Sequence, residues 1–75
     1  MKTYKNLSGN SGIKAYELLD DGLKIQFVDD SVYLYNVAFN GENVIKIMKA
    51  LARKGIGLTT YINQEVRENF AAKLQ

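Results

Sequence analysis

Carboxylates, hydroxyls and lysine amines are the groups that any catalysis by this chain would have to use, because it contains no cysteine and no histidine. A serine, threonine, lysine or carboxylate nucleophile also needs a base positioned beside it. The acidic pairs Asp20-Asp21 and Asp29-Asp30 stand at expected turns, where turn chemistry explains them, and they lack the ligand spacing of a calcium loop. Zinc fingers and thiol chemistry need the missing residue types. We therefore predict that the chain is not an enzyme and holds no metal or cofactor.

Four basic residues form the first candidate binding surface. They fall on one side of a predicted helix, and they are Lys46, Lys49, Arg53 and Lys54. The other side carries apolar residues at helical spacing, namely Val44, Ile47, Met48 and Leu51. A stripe of cations can contact the phosphates of a nucleic acid. The commoner interpretation is a solvated face whose charges suit the helix dipole, and both interpretations stay open.

Tyr33 and Tyr35 form the second candidate, and their role depends on the length of the loop before their strand. A three-residue loop puts both tyrosines in the core, whereas a two- or four-residue loop puts them on the open face of the sheet beside Lys24 and Gln26. The open arrangement would be an aromatic and basic platform on which nucleobases stack. We favour the core arrangement, because it buries three apolar side chains in a row. Its core set is Leu23, Ile25, Phe27, Tyr33, Tyr35 and Val37.

A β-hairpin is predicted in the first half of the chain. Leu23–Phe27 alternates apolar and polar residues, as a half-buried strand does. Asp21-Gly22 precedes it and is a strong hairpin signal, because a type I′ turn needs positive φ at both central positions. A two-residue loop there places Leu18 opposite Ile25 and directs Glu17 outward.

A third strand and a helix follow. Asp29-Asp30-Ser31 turns the chain into Val32–Val37, which is rich in residues that favour strands. Asn40 is the expected N-cap of the first helix, and Gly55 is its expected stop.

A second helix is predicted near the C-terminus, with Thr59 or Thr60 as its cap. Its apolar residues recur every four positions, at Ile62, Val66, Phe70 and Leu74. The sequence therefore predicts an α+β fold in which a three-stranded antiparallel meander is followed by two helices packed on one face.

Length and composition limit the chain to one domain over residues 1–75, with residues 1–12 a flexible segment or a short edge strand. A hydrophobic content of 47% makes a packed core plausible without a disulfide or metal. No apolar run approaches the roughly 20 residues of a membrane span, and the start lacks the apolar core of a signal peptide. We therefore expect a cytoplasmic protein with no membrane partner. The net charge of +2 is too small by itself to indicate nucleic-acid binding.

A family resemblance runs through roughly residues 11–66. The segments that carry it are Ser11-Gly12-Ile13, Leu23–Phe27, Val32–Tyr35 and Tyr61-Ile62-Asn63. They resemble the KTSC domain family, named for a segment at the C-terminus of some lysyl-tRNA synthetases and found also as small bacterial and phage proteins. Tyr33 and Tyr35 match the central Tyr-x-Tyr hallmark of that family. A proline usually follows this strand and is absent here, so only the two tyrosines are carried over.

Two functions follow as expectations. The resemblance implies an RNA or tRNA partner, contacted by the basic stripe and by Lys24, Tyr33 and Tyr35. The alternative is a protein–protein contact or weak homo-oligomer formed by Leu34, Ile56 and Leu58. A salt-dependent affinity for RNA would distinguish the first from the second.

Overall fold

The computed structural model describes every residue from Met1 to Gln75. Its strands are β1 (Lys2–Thr3), β2 (Ile13–Leu19), β3 (Gly22–Phe27), β4 (Val32–Asn36) and β5 (Ala72–Lys73). Its helices are α1 (Val37–Asn40), α2 (Glu42–Lys54) and α3 (Leu58–Tyr61), and α3 continues into a π-helical turn over Ile62–Val66. The strands form one antiparallel sheet in the order β1-β2-β3-β4-β5. The predicted α+β class is confirmed, but the sheet has five strands rather than three.

The β2–β3 hairpin forms where the sequence predicts it, but in a different register. Leu19 pairs with Gly22, so the two aspartates between them make the turn. Leu18 consequently lies opposite Leu23 rather than opposite Ile25. No residue of this turn has a positive φ, so the predicted type I′ turn is wrong.

Gly22 has a different role from the one that the sequence suggests. It is the buried first residue of β3 and pairs with Asn36 of β4. A Cβ atom at this position would lie 2.9 Å from the Cα of Asn36 and closer still to the carbonyl oxygen of Tyr35. The glycine therefore serves the close approach of two strands, a recognised use of glycine inside sheets.

Ser31, just before β4, still pairs with Phe27, so the loop between the two strands has three residues, 28–30, as the core arrangement of the tyrosines requires. The Phe27 N–H donates to the Ser31 carbonyl at 2.9 Å, and the Asp30 N–H donates to the Phe27 carbonyl at 2.9 Å. Asp30 has a φ of 69°, the left-handed residue that commonly ends such loops. In this register Tyr33 and Tyr35 lie on the same face of the sheet as the core residues of β3.

The start of the helical half differs from the prediction. Asn36, not Asn40, is the side-chain cap, because its Oδ1 accepts the N–H of Phe39 at 2.9 Å. Val37 therefore belongs to the single turn α1 and not to the strand. Asn40 ends α1, and α2 begins without a side-chain cap. The end of α2 is as predicted, at Gly55 with a φ of 82°.

The buried face of α2 is rotated from the predicted one. Its fully buried residues are Ile45, Met48 and Ala52. Ile47, which the spacing assigns to the core, is 43% exposed. Val44 and Leu51 lie at the margin of the core, partly buried against it. The helix therefore leaves one predicted core residue on its surface.

The C-terminal segment is not one long helix. The helical backbone ends at Val66, and Gly57 precedes α3 in place of a threonine cap. Ala72 and Lys73 pair with Leu34 and Tyr33 as the edge strand β5. Leu74, predicted to face the core, is 49% exposed. Pairing with β4 here overrides the four-residue spacing.

The N-terminal segment forms the other edge of the sheet. β1 covers Lys2–Thr3 and pairs with β2, so of the two alternatives for residues 1–12 the short edge strand is present. Tyr4 follows it into the core and is 3% exposed. The core residues of the sheet and helices pack together on one face, with the largest fully buried side chains being Tyr35, Ile13, Leu23, Ile25, Met48 and Leu58. None of the helices has the length and apolar character that crossing a bilayer requires.

Candidate functional site

The two tyrosines and Lys24 lie on opposite faces of the sheet. Tyr35 is 2% exposed and belongs to the core, and Tyr33 is partly buried against it. Lys24 pairs with Glu17 and Leu34 on the face without helices. The aromatic and basic platform considered from the sequence is therefore not formed, and no base could stack on the ring of Tyr35.

Lys49 is held apart from the other three predicted cations. Its Nζ donates to the carbonyl oxygen of Leu19 and, at 3.2 Å, to that of Asp20. The ammonium thus ties α2 to the β2–β3 turn, next to two aspartates. We therefore assign Lys49 a structural role and exclude it from the cations that could contact a ligand.

Lys46, Arg53 and Lys54 are exposed and form no ion pair. Lys46 and Arg53 are seven positions apart and share one side of α2, whereas Lys54 is displaced by about 100° around the helix. The one ion pair of the molecule joins Lys14 to Asp30 at 2.7 Å. Glu42, one turn before Lys46, makes none.

Lys5 joins these cations through a contact that the sequence does not reveal. The Leu7 N–H donates to the Gly55 carbonyl at 2.8 Å, which holds the N-terminal segment against the end of α2. A Cβ atom at Gly55 would lie 3.2 Å from Cγ of Lys5 and closer still to its Cβ, so the lysine stem packs directly on the helix stop. We call Lys5, Lys46, Arg53 and Lys54 the basic surface.

Charge segregation in the sequence sharpens this surface. Neither residues 1–16 nor residues 43–64 contain an aspartate or glutamate. These are the two stretches that supply the basic surface and that meet at the Leu7–Gly55 hydrogen bond. The acid-free stretches are visible in the sequence, and they are the signal by which Lys5 could have been recognised.

A second site is a cleft at the C-terminal end of β3. It has a volume of about 430 Å³ and lies between the β3–β4 loop and the segment after the π-helical turn. Tyr33 lies at its centre, with Phe27 at 5.5 Å and Phe70 at 4.6 Å between ring centroids, both in edge-to-face contact. Lys73 lies 5.8 Å from the centroid of the Tyr33 ring. We call this site the aromatic cleft.

Polar groups also line the aromatic cleft, and none of the charged ones is ion-paired within the protein. Tyr35 lines it, and its hydroxyl makes no hydrogen bond within the protein. Burial, with a smaller contribution from Tyr33, raises the pKa of Tyr35 to about 12, so the hydroxyl stays protonated. Arg67 and Glu68 lie at the rim and form no ion pair. Asp29 is also at the rim, and hydrogen bonds from the side chain and backbone of Ser31 hold its pKa below the usual value.

Arg67 has an unfavourable backbone conformation. Its φ of 54° and ψ of −124° are those of the first central residue of a type II′ turn, where glycine is preferred. The Asn69 N–H donates to the Val66 carbonyl at 3.0 Å and closes this turn. Strain of this kind costs roughly 1–3 kcal/mol and clusters at functional sites. The π-helical turn before it is a rare element that is also frequent at functional sites.

The residues predicted for a protein contact are only partly available. Leu58 is 0% exposed and belongs to the core, so it cannot form a contact surface. Leu34 is half-buried on the open face of the sheet, and Ile56 is 37% exposed. Phe39 on α1 is 58% exposed and Ile47 on α2 is 43% exposed, so each is more accessible than Ile56.

No group of three or more carboxylates, the ligands that this chain offers to a metal, is gathered in one place. No family model, no curated protein and no solved structure matches the chain. The basic surface and the aromatic cleft are therefore the features of this chain that bear on its function.

Proposed function

We propose that this protein is a non-catalytic module that binds single-stranded RNA or tRNA through the basic surface. The observation that carries the proposal is the packing of the Lys5 stem on Gly55, next to Arg53 and Lys54 at the end of α2. Lys46 lies two turns earlier on the same helix, and none of the four cations is ion-paired. The chain segments that supply them contain no carboxylate to compete with phosphate. Unpaired cations of this kind bind nucleic acid by displacing counterions from the phosphate backbone.

Membership of the KTSC family is part of the same proposal. It is supported by the residues of the central strands, above all Tyr33 and Tyr35. Because Tyr35 is buried and Tyr33 faces the aromatic cleft, we assign neither of them to the RNA contact. The RNA contact in this proposal therefore consists of phosphate contacts, which predict affinity with little sequence preference.

Salt dependence of RNA binding tests the proposal. Fluorescence anisotropy of a labelled single-stranded RNA, and of mixed tRNA, would be measured at several salt concentrations. Neutralising three or four phosphates predicts a slope of about −2 to −3 for log affinity against log salt, at roughly −0.7 per phosphate. Absence of binding at low salt would remove the proposal.

Paired charge variants locate the contact. Arg53→Gln/Lys54→Gln removes two cations of the basic surface and should lessen the slope by about 1.4. Lys24→Gln/Lys73→Gln removes the same charge from the sheet, away from α2, and is the matched control. Equal losses from the two double variants would mean that net charge, and not the basic surface, determines binding.

Self-association is the second candidate function, and the exposure of Phe39 and Ile47 favours it. Both side chains belong to the helical half of the chain, and large exposed apolar side chains that form one patch mark contact sites. Sedimentation at high protein concentration would detect a dimer, and Ile47→Glu should dissociate it. A monomer at all concentrations would exclude a homo-oligomer.

A further inference from the structure

We propose that the aromatic cleft binds a small zwitterionic aromatic molecule, of the class of a free aromatic amino acid. In this arrangement the ring of the ligand packs among Phe27, Tyr33 and Phe70. The guanidinium of Arg67 takes the carboxylate, and the carboxylates of Asp29 and Glu68 take the ammonium. The inference concerns a different surface from the proposed RNA contact and does not depend on it.

The dimensions and walls of the cleft indicate a small ligand with a flat ring. Its volume of about 430 Å³ lies in the range of small-molecule sites, which are mostly apolar with a few placed polar groups. Aromatic side chains meet edge to face around Tyr33, the arrangement into which a further ring packs well. The unpartnered hydroxyl of Tyr35 adds one hydrogen-bonding group to this apolar wall.

The charges at the rim indicate a ligand that carries both signs. Arg67, Asp29 and Glu68 line the same cleft, and none of them is ion-paired within the protein. An anionic ligand would meet two carboxylates, and a cationic ligand would meet the guanidinium and the nearby ammonium of Lys73. A zwitterion can satisfy both, with charge-assisted hydrogen bonds that are stronger than neutral ones.

The backbone of Arg67 is an independent argument for a role of its side chain. Glycine would hold the same type II′ turn without strain, yet the chain has an arginine there. Its side chain makes no hydrogen bond or ion pair that would offset the strain within the protein. Contact with a ligand would account for it.

Four indole compounds separate the contributions to binding. Chemical shifts of the ¹⁵N-labelled protein would be followed with L-tryptophan, tryptamine, indole-3-propionate and indole. L-Tryptophan should shift the amides of Phe27–Ser31 and Arg67–Phe70. Each analogue lacks one or both charges and should bind at least about ten-fold more weakly, as expected for the loss of a charged hydrogen bond. Equal affinity for indole, or no shifts at millimolar concentrations, would overturn the proposal.

Variants of Arg67 separate ligand binding from folding. Arg67→Gly removes both the guanidinium and the strain, so it should raise the melting temperature while weakening L-tryptophan at least about ten-fold. Arg67→Ala should weaken the ligand equally without raising stability, and Arg67→Lys should keep part of the affinity. Undiminished binding by Arg67→Gly would overturn the assignment. Arg53→Gln/Lys54→Gln should bind L-tryptophan normally, whatever its effect on RNA.

Discussion

Replacing Gly22 with alanine tests the packing of β3 against β4. An added methyl group would lie 2.9 Å from the Cα of Asn36 and 3.0 Å from its Cβ, and nearer still to the carbonyl oxygen of Tyr35. These neighbours are backbone atoms or atoms fixed to the backbone, so no rotation of a side chain relieves the overlap. The strands must separate at this end of the sheet, beside the buried pair Leu23 and Tyr35.

The expected loss of stability is about 3 kcal/mol, at the upper end of the range for overpacked sites, because backbone must move. A domain of this length is stabilised by roughly 4–11 kcal/mol in total, so the substitution removes a large fraction. The melting temperature should fall by roughly 12–24 °C, at 4–8 °C for each kcal/mol in a small domain.

Urea and thermal denaturation followed by circular dichroism would measure this loss. Gly12→Ala is the control, because nothing lies within 4 Å of a Cβ there and its φ is not positive. The control should be neutral or slightly stabilising.

Gly22→Asn distinguishes close approach from turn geometry. Asparagine tolerates left-handed φ, so it would be the mildest substitution if Gly22 served a type I′ turn. Since the structure gives Gly22 no positive φ and no free space, Asn should be more harmful than Ala. A Gly22→Asn protein as stable as the wild type would refute the reasoning.

Two further predictions concern titration. The pKa of Tyr35 rises from 10.0 to about 12 on folding, so the folded state retains a proton that the unfolded state loses, and stability should decrease as pH rises from 10 to 12. The free energy of unfolding should fall by about 2 kcal/mol over this range, less than the whole pKa shift would give, because the hydroxyl contacts the cleft. Tyr35→Phe should abolish this loss in alkaline denaturation monitored by tyrosinate absorbance. Ser31→Ala should raise the pKa of Asp29 part of the way toward its ordinary value, because it removes the hydroxyl hydrogen bond that is the largest cause of the lowering and leaves the backbone N–H in place. Carbon-detected NMR titration of the Asp29 carboxyl would show this rise in pKa, and an unchanged pKa would contradict the assigned cause. The stabilisation that Asp29 gives is present above its unfolded pKa and is lost on acidification.

The central strands could be predicted from the sequence because their information is local. The alternation of apolar and polar residues in Leu23–Phe27 and the loop before Val32 locate the two strands. The arrangement that buries three apolar side chains in a row then places both tyrosines in the core. The register of the first hairpin could not be predicted, because Gly22 is a glycine for a reason that lies on another strand. Local turn preferences assign Gly22 to the turn itself.

The structure of the C-terminal end of the chain could not be predicted from local patterns either, because it depends on pairing between distant segments. Ala72 and Lys73 become a strand by pairing with β4, far away in sequence. The apolar spacing of Val66, Phe70 and Leu74 suits a helix equally well, so pattern alone cannot decide. The basic stripe on α2 was recognised, whereas the contribution of Lys5 and the whole aromatic cleft depend on contacts between distant segments.

The order of the sheet has a consequence for how the chain folds and opens. β2, β3 and β4 pair through short loops, so their meander can form early with little loss of chain entropy. β5 is separated from β4 in the chain by the helical half, residues 37–71, and the strand itself has only two residues, Ala72 and Lys73. We therefore expect β5 to form last and to open first, with the earliest amide exchange at this edge of the sheet. Because Phe70 leads into β5, the same fraying would open one wall of the aromatic cleft and admit a ligand without unfolding the rest of the domain.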